Sequence, residues 1–289
     1  MDPRFASCPT MTRTRMLPDI FHYGFMQRAL LAGVVIALIC PAIGVFLIPR
    51  RLSLIADTLA HVALAGVALA LLVNTAPLLG ALVVTVAGAI GVERLRARGA
   101  LQGDASLAVF LSGGFALAIV LIGLARGFNA DLFALLFGSI VTVTPGDLVL
   151  IALLGVIVAA ALLLFYRPLL AITLNEDLAR TSGVRVEALN VMLTVLTALT
   201  TVMTMRMVGV LLVSAMIVIP TLTGFALGRS FRQALLLAIA AALLAVVSGL
   251  MLAYALSLAA GGVIVLTALL ILVATTLGAR LSHRARSQL

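Results

Sequence analysis

Stretches of roughly 17 to 25 mostly apolar residues recur along the whole chain, and a helix of that length spans the hydrocarbon core of a bilayer at 1.5 Å rise per residue. They can be drawn over residues 27–48, 52–73, 76–92, 105–125, 147–166, 189–205, 207–227, 234–256 and 261–279. A chain in lipid must satisfy its backbone N–H and C=O groups internally, and helices do so within each segment. The sequence therefore predicts an all-α fold: a polytopic transmembrane bundle of about eight or nine spans. The segment 130–144 is moderately apolar but too short to cross, and it reads as a re-entrant or interfacial helix.

Only 10% of the 289 residues are charged and 64% are hydrophobic, whereas about one quarter of a soluble domain is charged. A water-soluble fold is excluded. The net charge of +9 would suggest nucleic acid in a soluble protein, but here the arginines lie mostly in short gaps between apolar runs, so no nucleic-acid partner is expected. They report orientation instead. Arg94, Arg96 and Arg98 share one connector, Arg167, Arg180 and Arg185 another, Arg229 and Arg232 a third, and Arg280, Arg284 and Arg286 the tail. The positive-inside rule makes all four cytoplasmic, together with Arg50 and Arg51, and leaves the amino terminus outside. Arg4, Arg13 and Arg15 oppose that last step. The expected organisation is a non-native or disordered tail over 1–15, one permease-like membrane domain over 16–280, and a basic cytoplasmic tail over 281–289. The setting is a bacterial inner (plasma) membrane, crossed many times.

No phosphate-binding loop of the GxxxxGK[ST] kind is present, so this chain does not handle ATP by itself and is not expected to be an enzyme. Cys8 and Cys40 lie in unlike surroundings and suggest neither a disulfide framework nor a thiolate site.

The sharpest chemical signal is Asp57 followed by His61 within the second run. Four residues apart on a helix, they project from one face and can converge on one ligand, and Ser53 and Ala65 continue that stripe. The face should look into the bundle. An aspartate in the middle of a spanning helix costs roughly 2.5–3.5 kcal/mol on insertion scales, so something must compensate it. A passing cation is one such compensation, and a carboxylate with an imidazole suits Mn²⁺, Zn²⁺ or Fe²⁺. Two other readings remain open on spacing alone: the pair hydrogen-bonds within itself, or it lies close enough to a helix end to reach water. Two donors are too few for a closed site.

A second signal lies at residues 175–184. Asn175 is a good N-cap, Glu176 and Asp177 favour the positive end of a helix dipole, and Gly183 is a natural left-handed stop. A short helix outside the membrane is predicted. Met203, Met205 and Met207 alternate and so do not share a helical face, which speaks against a soft-metal site. Asp104, Asp131 and Asp147 fall at run boundaries and read as solvated ends or caps; His22 and His283 lie in the tails.

The run from Arg50 to Asp57, followed by His61 and Gly66, resembles the manganese/zinc/iron permease family of ATP-binding-cassette importers. The likeness continues at Met26 to Gly33, at Leu136 to Ile140, and at Val208 to Ala215 with Ile219 and Pro220. It implies an importer subunit for zinc, manganese or iron, with the metal as transported substrate and no cofactor bound by this chain. It also implies three protein partners: a second permease copy, a cytoplasmic ATP-binding subunit dimer that hydrolyses the ATP, and an extracytoplasmic metal-binding lipoprotein or periplasmic protein. By the same resemblance Asp57 and His61 handle the metal, while Glu176, Asp177, Arg180 and Gly183 fall on a cytoplasmic coupling helix that meets the ATPase. Two positions depart from the family: Ala65 stands where Pro is common, and residues 257–261 read Ser-Leu-Ala-Ala-Gly where the family often has Asp-x-Pro-Ser-Gly. Two rival functions compete with this reading, a secondary metal transporter driven by an ion gradient and an intramembrane metalloenzyme; the single histidine within a span disfavours the enzyme.

Overall fold

A computed structural model describes residues 24–97, 105–124, 136–138 and 144–286, the side chains of 279–286 excepted. The tail over 1–15, His22, Asp104, Asp131, the side chain of His283 and most of segment 130–144 lie outside the described residues. The helices are α1 (Gly24–Leu47), α2 (Ile55–Leu72), α3 (Pro77–Ala97), α4 (Ala105–Leu124), α5 (Pro145–Leu164), α6 (Tyr166–Leu174), α7 (Glu176–Thr181), α8 (Val186–Val208), α9 (Val213–Leu227), α10 (Phe231–Leu256) and α11 (Ala260–Arg286). A single 3-10 turn, Val210–Leu212, joins α8 to α9. Among the described residues nine helices are long and apolar enough to cross a membrane, and there is no strand.

Much of the outer surface is apolar. Leu163 and Leu164 are 78% exposed, Val83 and Val149 68%, an arrangement that water would penalise and lipid does not. Because lipid supplies little hydrophobic drive between helices, they associate by close packing of small residues. α2 shows this best, with Ala60, Ala63, Ala65, Gly66, Ala68 and Ala70 buried. A side chain on Gly66 would run into the Gly80 carbonyl of α3, 2.6 Å from its Cβ position. On its other flanks α2 packs against α4, α8 and the start of α9, so it stands near the middle of the bundle.

The arginine connectors share one face. Arg50 bonds to Glu176 of α7 and Asn190 of α8, and Glu93, near the end of α3, accepts from Thr194 of α8. At the opposite end, residues 136–138, the α8–α9 junction and the start of α11 meet around Gly209. Gly209 has φ +93, and a Cβ there would collide with the backbone of residues 136–138.

Candidate functional site

Asp57 is not in the middle of its helix. The second apolar run becomes helical only at Ile55, which puts Asp57 in the first turn of α2. Being near a helix start does not, however, bring it to the arginine-rich face. Ser214 Oγ donates to Asp57 Oδ1 across 3.4 Å, and Ser214 belongs to the first turn of α9. α8 leaves the arginine-rich face at Asn190 and runs up to Val208, and α9 begins beyond its far end. The turn carrying Asp57 therefore meets the start of α9, where Asp57 is half-buried. The expected mid-helix position is thus corrected to a first-turn one. At the start of a helix the carboxylate also gains from the positive end of the dipole, a compensation that a mid-helix reading overlooks.

One turn on, His61 is half-buried and packs edge-on against Phe115 of α4, with ring centroids 5.1 Å apart. Its Nδ1 is buried and has no hydrogen-bond partner among the described residues. Buried polar atoms are nearly always paired, so a bare ring nitrogen beside a carboxylate leaves a lone pair or N–H unused. The face expected to look inward is only partly enclosed: Asp57, His61 and Ser53 are half-buried and Ala65 is buried. Among the described residues no three His, Cys, Asp or Glu side chains group closely enough to hold a metal ion.

The second signal folds as its residues dictate. Asn175 Oδ1 accepts from the Leu178 N–H at 3.0 Å and opens α7, and Gly183 closes the turn with φ +82. Glu176 faces Arg50 at 3.2 Å and Arg180 at 3.5 Å. Asp177 and Arg180 are exposed, and Leu178 between them is 67% exposed. A hollow of about 350 Å³ lies beside α7, lined by Arg180, Arg185, Val186, Glu187 and Ala188.

Other polar groups have structural partners. Asp147, expected as a solvated end or cap, is a cap but is buried: Thr144 and Asp147 form a capping box at the start of α5. Asp147 Oδ1 also lies 3.5 Å from Arg206 Nε of α8. Glu93, 4% exposed, pairs with Arg96 at 3.1 Å; it sits at the end of a run among arginines, and the residue pattern alone did not single it out. Cys40 contacts Thr204 Oγ1 at 3.3 Å, and Met203, Met205 and Met207 are buried. An apolar groove of about 500 Å³ between α2, α3 and α4, lined by residues such as Val62, Gly88, Phe110 and Leu117, offers nothing to a cation.

Comparison with known proteins agrees with this architecture. The model of the ABC 3 transport family matches residues 22–279. The manganese import system permease protein ScaB of Streptococcus parasanguinis is 33% identical, over 88% of this chain and 90% of its own length. The high-affinity zinc uptake system membrane protein ZnuB of Haemophilus influenzae is 32% identical, over 82% and 91%. The solved structure of PsaBC from Streptococcus pneumoniae in complex with Fab superposes with a TM-score of 0.82 at 30% identity, covering 91% of this chain and 95% of that one. The chain thus belongs to the ABC 3 transport family of metal-ion permeases and is a multi-pass protein of the bacterial plasma membrane.

Proposed function

We propose that this permease passes a divalent cation, Mn²⁺ or Zn²⁺, between Asp57 and His61, and that it is driven by a separate ATP-hydrolysing subunit docked on α7. The observation that carries the cation site is the buried Nδ1 of His61, unpartnered among the described residues, one turn from a carboxylate that accepts from Ser214. One carboxylate and one imidazole serve either ion, and four donors complete a tetrahedral site. A second copy of the chain, presenting the same half-buried face of α2, supplies the other two. Relatives named for manganese and for zinc stand at nearly equal identity, which matches a donor pair suited to both.

Docking on α7 is supported by what it leaves in the open. Leu178 and Leu174 are 67% and 74% exposed beside the arginine connectors, next to a hollow lined by Arg180, Arg185 and Glu187 among others, a combination of apolar knob and charged rim suited to a protein partner. A binding protein on the opposite side delivers the cation, and the permease alternates access between the two sides. No bond is made or broken by this chain.

Reconstitution with the ATPase and binding protein tests the reading. Uptake and ATP hydrolysis should both rise with Mn²⁺ or Zn²⁺, and the permease should carry the ATPase through purification. Uptake by the permease alone, driven by an ion gradient, would replace this reading with a secondary transporter.

A further inference from the structure

The helix bearing Asp57 is reached through a short connector, 48–54, between the ends of α1 and α2. It is a hydrogen-bonded turn: the Arg51 N–H donates to the Ile48 carbonyl, Leu52 to Leu47 and Ile55 to Leu52, at 3.0, 3.0 and 3.1 Å. Arg51 takes φ +57 and Leu52 is buried. So tight a segment has little slack, and displacement at Arg50 arrives at the first turn of α2.

Arg50 is also gripped from outside. Its Nη2 donates to Asn190 Oδ1 at 2.7 Å and to Glu176 Oε2 at 3.2 Å. The Arg50 side chain is 7% exposed and that of Glu176 42%. One guanidinium thus holds the first residue of α7, the start of α8 and the turn leading into α2. Among the described residues its buried Nη1 has no acceptor, so a neighbouring arrangement that fills Nη1 would compete with this one.

We propose that Arg50 is a positioning residue that transmits movement of α7 to the cation-handling turn of α2. The inference rests on the reading of α7 as the docking helix. A planar guanidinium makes directional bonds, so a small shift of Glu176 exchanges one bonded arrangement for another instead of being absorbed smoothly. Asn190 keeps Arg50 registered on α8 while Glu176 moves. Lysine would preserve the charge but not the fork.

The experiment measures cations imported per ATP hydrolysed by the complete importer in proteoliposomes, alongside retention of the ATPase on purification. Arg50→Gln and Asn190→Ala should keep the ATPase bound and hydrolysing while the ratio falls roughly tenfold, the scale of losing one charge-assisted hydrogen bond. Arg50→Lys should recover only part, and Arg50→Glu combined with Glu176→Arg should couple better than Arg50→Glu alone. An unchanged ratio in Arg50→Gln overturns the proposal; if that variant does not accumulate, an unchanged ratio in both Asn190→Ala and Glu176→Gln overturns it equally. Leu178→Asp separates the two readings. If it leaves the ATPase bound and stimulated, docking on α7 is wrong and the relay falls with it; if it releases the ATPase while Arg50→Gln keeps its ratio, the relay alone is wrong.

Discussion

Ser214 Oγ donates to Asp57 Oδ1 and so ties the first turn of α9 to the first turn of α2. α2 follows a connector at the arginine-rich face and α9 follows the far end of α8, yet their first turns meet. Both present the positive ends of their dipoles there, and the carboxylate is the one negative group of the described residues in either first turn. Ser214→Ala should keep the fold and weaken apparent cation affinity by about three- to tenfold, for loss of a bond worth roughly 0.5–1.5 kcal/mol. The concentration dependence of uptake checks this.

Gly209 at φ +93 has no room for a side chain against residues 136–138. Gly209→Ala should destabilise the protein by about 2 kcal/mol or more, from left-handed backbone strain plus displacement of the neighbouring backbone. A thermal-unfolding scan in detergent should show a clear drop in Tm, whereas Gly262→Ala, where a Cβ meets nothing within 4 Å, should leave Tm unchanged.

Asp147 holds two jobs, capping α5 through Thr144 and facing Arg206. Asp147→Ala removes both and should cost about 2–4 kcal/mol, while Arg206→Ala leaves the cap intact and should cost less. Comparing the thermal stabilities of the two variants checks the order.

The cap of α7 can be tested without touching its charges. Asn175→Ala should lower the stability of this short helix by about 1 kcal/mol and weaken retention of the ATPase, since the docking surface would then be less ordered. Co-purification at rising salt measures it.

Much of this was legible from residue order, because lipid makes length and polarity almost sufficient. The spans, the Asn175 cap and the Gly183 stop follow from local chemistry. Asp57 and His61 stand out because charge within an apolar run is rare. What was not legible depends on partners far away in sequence. The hydrogen-bonded turn over 48–54 delays the start of α2 to Ile55 and so puts Asp57 in a first turn, and nothing near residue 57 announces it. The contacts of Asp57 with Ser214, Arg50 with Asn190, and Asp147 with Arg206 join positions 59 to 157 residues apart. The last of them turns a boundary aspartate that looked solvated into a buried one.

Uptake of Mn²⁺ or Zn²⁺ into proteoliposomes by the full importer, with Asp57→Ala and His61→Ala measured separately, bears most directly on the central claim. Each should cut uptake by more than about tenfold, equivalent to about 1.4 kcal/mol on the barrier, while the ATPase and the permease still purify together. Normal uptake by both variants would contradict the assignment of this pair as the cation site.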